Sequence, residues 1–302
     1  KMKVLEGESV KNLKRMRWQR GVKLTIVQSD VLEIYKDQQR NGNPVATEII
    51  EPLRAILPLY DEEVHLMIKK SSGIKTFSDL KDKKIAVGRL ASGPAITMKS
   101  IYNHLFGEPM KNKNIYYTPA GVDSTEDGLS ALASDKVDVL IMVVGQGAER
   151  IADFLPEAAK HFTFVKFDID NPQEKKILTA SYQPATIFKD SYSWLDEDIP
   201  TLNTQAILIT QRYKSATTKA NIRSFTESLC KNFATLQEKG HAKWKQVKLA
   251  HNRLPGDWQY SQDVLDAFAS ENCKLIGTSS GQSNSSTKCA PEEANLNLCA
   301  AE

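Results

Sequence analysis

Catalytic signatures are missing from this chain. It contains no HExxH, no GxSxG, no Walker-type phosphate loop and no CxxC pair, which removes the common metalloprotease, serine-hydrolase, nucleotide-binding and zinc-ribbon readings. No apolar run approaches the ~18 residues that a membrane-spanning helix requires. No block of one charge is present either: 40 Lys and Arg stand against 37 Asp and Glu, a net charge of +3 spread along the chain. That bias is too weak for a nucleic-acid partner, which calls for one strongly basic face. The five histidines (His65, His104, His161, His241, His251) lie apart from the cysteines in sequence, so neither a metal site nor a cofactor is expected.

What is present is ordinary for a globular protein: 302 residues, 41% hydrophobic and 25% charged. Single cores rarely grow past ~250–300 residues, so about two domains are expected. The four cysteines, Cys230, Cys273, Cys289 and Cys299, all fall in the last quarter. Beside a Ser/Asn-rich tail this fits disulfides in an oxidising compartment better than free thiols. Three pairings are possible, and spacing does not choose among them.

Along the chain, strand and helix patterns alternate. Residues 2–6 read as a short strand, and Ser9 as the N-cap of a helix ending at Gly21. A buried strand at 22–30 leads to Asp30, whose plain reading is a helix cap. Residues 53–60 and 64–70 read as two strands joined by an acidic turn, Asp61-Glu62-Glu63. A helix runs from Pro94 to Phe106, an edge strand covers 114–120, and 125–145 reads as helix, turn and apolar strand. Residues 148–160 are helical and 162–168 extended. After the strand QAILIT, a long helix from Thr217 carries Ile222, Phe225, Leu229, Phe233 and Leu236 at spacings of three and four, which marks one buried face. Residues 276–302 form a polar, Cys-containing tail. The alternation predicts an α/β protein with mostly parallel sheets.

In open α/β sheets, ligands sit beyond the carboxyl ends of strands. That rule selects three corners: Gln28-Ser29-Asp30, the turn from Gly88 to Pro94, and Gly145-Gln146-Gly147. In the second corner Ser92 caps a helix, Gly93 permits close approach, and Pro94 and Ala95 begin the first turn. A carboxylate at such a helix start is favoured by ~0.3–2 kcal/mol, and Arg89 could add a bidentate grip. The plainer reading is a capped helix with Arg89 in solvent. Gln28 and Ser29 can donate to a carboxylate or accept from an ammonium. Gly145, Gln146 and Gly147 offer backbone N–H groups, or simply a tight strand-to-helix turn. The carboxylates at 195–200 read as a solvated loop, and Trp194, Trp244 and Trp258 as packing residues.

The blocks GESVKNLKRM, VKLTIVQSD, LRAILPLYDEEVHLMIKKSSGIKTFSDLKDKKIAVGRLASGP, LSALASDKVDVLIMVVGQGAERI and SYQPATIFKDSYSWLDEDIPTLNTQAILIT follow one another. In this order they resemble the TAXI subfamily of TRAP transporter solute-binding receptors, over about residues 2–265. The resemblance implies a type II periplasmic-binding-protein fold, with two α/β lobes joined by crossover strands. Lobe I would comprise 1–70 plus 201–275 and lobe II 71–200. It implies a monomeric, periplasmic, non-enzymatic receptor with its signal peptide removed. Such a receptor closes over a small carboxylate, glutamate-like or another organic acid, for an ion-driven TRAP membrane permease. Tyr182 and Thr186, near the return crossover stiffened by Pro184, would then reach the cleft.

The sequence departs from the family pattern in several places. The strand and Gly/Thr/Tyr-rich loop that open family members have no counterpart before Met2. The loop usually read as Gly-Ser-Gly-Thr is Ala91-Ser92-Gly93-Pro94, so Pro94 removes a backbone donor and a hydroxyl. The usual Gly-Ser-Pro is Gly145-Gln146-Gly147, and the tyrosine after the crossover proline is replaced near Ile187 and Phe188. A ligand sensor or signalling adaptor on the same fold, and more remotely an enzyme, are the competing readings.

Overall fold

The computed structural model describes residues 3–5, 7–153, 160–249, 254, 258–270 and 273. The order of elements is α1 (Ser9–Trp18), β1 (Thr25–Gln28), α2 (Ser29–Arg40), α3 (Pro44–Ile50) and β2 (Leu53–Lys69). Next come β3 (Ile85–Ala86), α4 (Gly93–Phe106), β4 (Ile115–Tyr116), α5 (Ser124–Ala133), β5 (Val139–Val144) and α6 (Glu149–Ala152). The chain continues through β6 (Phe162–Phe164), β7 (Gln183–Ile187), β8 (Ile199–Gln211), α7 (Ala216–Lys239) and α8 (Gln262–Phe268).

One mixed sheet runs through the molecule in the order β1-β8-β2-β5-β3-β4, with β6 added to β2 and β7 to β8. Its two long strands decide the architecture. The first part of β2 pairs with β8 from Leu53↔Gln211 to Pro58↔Ile207, packed under α1 to α3 on one side and α7 on the other. Its last residues pair instead with β5 and β6, inside a second set of cores that includes α4. β2 and β8 thus pass from one half to the other, and their pairing is irregular between Pro58 and Asp61. This is an α/β arrangement in which two long strands are shared by both halves.

Several local expectations change. Among the described residues the parallel strand pairs are β4-β3 and β3-β5, while the other strand pairs are antiparallel because the shared strands run against their neighbours. Asp61-Glu62-Glu63 is no turn but the middle of one 17-residue strand. Lys3–Leu5 form no strand, the rest of 2–6 lying outside the described residues. Ser9 is the first residue of α1 rather than its cap. The long helix buries Ile222, Leu229 and Phe233, with Phe225 and Leu236 packed partly against them. Cys230 on α7 is bonded to Cys273, with Cα atoms 5.2 Å apart. Cys289, Cys299 and the 276–302 tail fall outside the described residues, as do residues 154–159 of the expected 148–160 helix.

Candidate functional site

Between β3 and α4 the backbone turns through two left-handed positions, Gly88 at φ 75° and Ala91 at φ 62°. Ser92 then caps α4: its Oγ accepts from the Ala95 N–H at 3.3 Å and donates to the Val87 carbonyl at 3.2 Å. Pro94, in the first turn, lacks an N–H that would have been free in any case. The corner is built as expected, but it is closely covered. A Cβ on Gly93 would lie 1.8 Å from Gln28 Oε1, so the glycine admits the side chain of Gln28 from the other half. Gln28 Oε1 accepts from Ser9 Oγ at 3.2 Å, while Gln28 Nε2 is buried without a partner. Arg89 donates to the Val122 carbonyl at 2.7 Å and faces Glu8 at 3.4 Å; it reaches no buried position.

The first corner is likewise engaged internally. Ser29 Oγ lies 2.9 Å from Thr204 Oγ1 and accepts from the Gln205 N–H. Asp30 is more than a cap. Its Oδ1 accepts from the Val31 N–H and Thr204 Oγ1, and its Oδ2 from Thr97 Oγ1 at 2.6 Å and Tyr182 O–H at 3.0 Å. Burial pushes the Asp30 carboxyl upward, and these hydrogen bonds oppose the shift. Glu62 stands directly across from Thr204 in the ladder, and burial together with the Asp30 charge pushes its carboxyl up to about 8.

At the third corner the Gly145-Gln146-Gly147 backbone meets protein rather than open space. Gln146 donates to Glu63 from its backbone N–H at 2.5 Å and from Nε2 at 3.1 Å, and Nε2 also reaches the Thr186 carbonyl. Gln146 Oε1 accepts from the Phe188 N–H and Ser191 Oγ. Buried Lys243 donates to both Glu63 oxygens, at 2.9 and 3.1 Å, and to the Asp61 carbonyl. A Cβ on Gly145 would lie 2.4 Å from Lys243 Cε. The corner ties the loop after β5 to the Ala242–Gln246 turn through one buried ion pair.

Beside these contacts lies a cavity of about 400 Å³. Its polar wall is formed by the starts of α4 and α5, with Gly88, Ser92, Ser124 and Thr125. Met142, Val144, Ala148 and Ile151 give an apolar wall, Glu149 and Arg150 also line it, and Glu8 and His241 reach it from the other half. The hydroxyls of Ser92 and Ser124 converge, both within 4 Å of the place a Gly88 Cβ would occupy. Ser124 Oγ is buried and has no partner. Asp123 caps α5 through the Thr125 and Glu126 N–H groups and pairs with Arg150. A smaller cavity of about 260 Å³ lies away from this seam, at Lys70, Phe162 and Trp194.

Of the residues singled out in the sequence, Gly88, Ser92 and Pro94 of the second corner line the larger cavity. Gln28, Ser29, Gly93, Tyr182, Gln146 and the Thr186 carbonyl lie in contacts that join distant parts of the chain. Ala95 is buried in α4, and Gly145 and Gly147 shape their turn. The sequence reading missed Ser124, Thr125, Arg150, His241 and Glu8. The Asp-Ser-Thr run at 123–125 is a helix-start signature, and the strand-end rule would have found it as a fourth corner. Among the described residues, no group of His, Cys, Asp and Glu is placed to hold a metal ion, and no helix is long and apolar enough to cross a membrane.

XAC2383 from Xanthomonas citri, solved bound to ATP, is similar at 10% identity and TM-score 0.47, over 89% of this chain and 83% of that one. An arginine transport-system periplasmic binding protein from Legionella pneumophila is similar at 16% and 0.40, over 80% and 77%. A histidine kinase sensor domain is similar at 13% and 0.43, over 78% and 74%. No curated protein matches the chain. The profile of the NMT1-like family matches residues 2–254, and the chain belongs to that family.

Proposed function

We propose that this member of the NMT1-like family is an extracytoplasmic solute receptor, periplasmic in location, that works without catalysis. Residues 1–70 plus 201–275 form one lobe and 71–200 the other. The receptor captures a small carboxylate, a glutamate-like amino acid or another organic acid, and hands it to a TRAP-type permease. The observation that carries this reading is the cavity of about 400 Å³. It lies at the strand ends of one half, is roofed by Glu8 and His241 from the other, and contains the unpartnered Ser124 hydroxyl.

Solute held there touches both halves, so it binds the closed arrangement better than the open one and shifts the balance toward it. Rotation about β2 and β8 near their irregular pairing is the hinge. The polar wall at Ser92, Ser124 and Thr125 orients the head of the solute, and the β5–α6 wall takes its apolar part. Arg150, paired with Asp123, supplies guanidinium N–H donors at the same wall.

Native mass spectrometry of the purified protein, followed by titration calorimetry with a panel of amino acids and organic acids, tests the proposal. Submillimolar binding of an acid, weakened at least tenfold by Ser124→Ala without loss of melting temperature, is expected. Tight binding of a non-acid would refute the ligand class. Binding indifferent to Ser124 would refute the site.

A further inference from the structure

We infer that Asp30 is a latch that holds the two halves shut through the chain's own groups, so that closure does not wait for a solute. The carboxylate is divided between the halves. Oδ1 is bound within its own half, by the Val31 N–H at 2.8 Å and by Thr204 of β8 at 3.1 Å. Oδ2 is bound across the seam, by Thr97 of α4 at 2.6 Å and by Tyr182 at 3.0 Å. Thr97 and Tyr182 stand 67 and 152 residues away in sequence, and Tyr182 packs in the core of the α4 half. All three are sealed from solvent, with exposures of 2% for Asp30, 0% for Thr97 and 1% for Tyr182.

Parting the halves leaves Oδ1 satisfied and strips Oδ2 of both donors at once. A charged acceptor that loses buried donors is penalised more heavily than a neutral one. The same seam is closed a second time, by packing. Gln28 seats its amide oxygen where a Gly93 Cβ would be, and Ser9 Oγ donates to that oxygen while accepting from the Gln28 backbone N–H. Every group that makes these two closures belongs to the chain itself.

The role follows from the geometry. Solute entry requires the latch to part, so the rate of entry carries the open-state population as a factor, while the closed state holds the solute. Weakening the latch would therefore speed entry, and it would move the resting balance toward open.

Hydrogen–deuterium exchange on the full chain in solute-free buffer tests this, with seam amides (28–30, 93 and 95–98) compared with core amides of β5. Two variants act by different means: Tyr182→Phe deletes one cross-seam donor, and Gly93→Ala wedges a methyl against Gln28. Each is expected to raise seam exchange about tenfold or more while β5 exchange changes less than twofold. Equal acceleration of seam and core would make Asp30 a purely structural group and overturn the latch, as would unchanged seam exchange in both variants. Because no solute is used, failure here leaves the receptor proposal to its own test.

Discussion

His65 offers a direct test of how burial sets the pH dependence of stability. It is fully buried on β2. Its Nδ1 lies 2.8 Å from the Glu63 carbonyl and its Nε2 2.9 Å from Tyr192 Oη. A carbonyl only accepts, so Nδ1 carries the proton and Nε2 accepts from the tyrosine, which makes the ring neutral. Burial lowers its pKa from 6.5 to about 4, against the raising influence of the Glu63 carbonyl and carboxylate. A base with a depressed folded-state pKa binds its proton more readily in the unfolded chain, so its contribution to stability falls as pH drops from 6.5 through 4. The shift from 6.5 to about 4, at ~1.4 kcal/mol per unit, gives a loss of about 3 kcal/mol between pH 7 and pH 4. His65→Phe keeps a ring between Phe164 and Tyr192, whose centroids lie 5.1 and 5.7 Å away. The variant is less stable at pH 7, having lost two hydrogen bonds, but it lacks this titration. Urea unfolding of both proteins across pH 4–7 should show the wild type losing about 3 kcal/mol more than the variant. Parallel curves would refute the reasoning.

Other outcomes follow from the seam and the crosslink. Lys243→Met leaves Glu63 charged and buried without its partner and should cost ~3–5 kcal/mol in urea unfolding; adding Glu63→Gln should recover part of it. Glu62, with its carboxyl pushed up to about 8, contributes stability that is complete below pH 4.5 and lost as pH rises through 8; Glu62→Gln should flatten that decline in melting temperature. Reduction of Cys230–Cys273, which closes a 43-residue separation, should lower stability by ~2–4 kcal/mol, read as a drop in melting temperature with reductant that a Cys230→Ala/Cys273→Ala variant does not show.

Elements with local signals were legible in the sequence. The helix after Pro94, the apolar strand before Gly145 and the stripe on α7 each carry their own periodicity or cap. Asp61-Glu62-Glu63 was not legible, because three adjacent acids read as a solvated turn. They sit inside a strand because Lys243, 180 residues away in sequence, neutralises Glu63. Asp30 misled for the same reason: a carboxylate at a helix start is locally a cap, and its donors Thr97 and Tyr182 are visible only after folding. Gln146 promised open backbone donors but is engaged by Glu63. The strand-end rule found the right edge of the sheet, and it located the cavity through one of its three corners, Gly88 to Pro94.

The position of β8 has a consequence for how the chain is made. β8 lies between β1 and β2, yet it follows them by more than a hundred residues in the chain. During synthesis both earlier strands therefore present unpaired edges, and β2 presents one along the stretch that will later meet β8. Open strand edges invite pairing with other chains, and such partly built intermediates are where aggregation begins. The half containing the N-terminus cannot finish first; it waits for a strand delivered after the other half has been made.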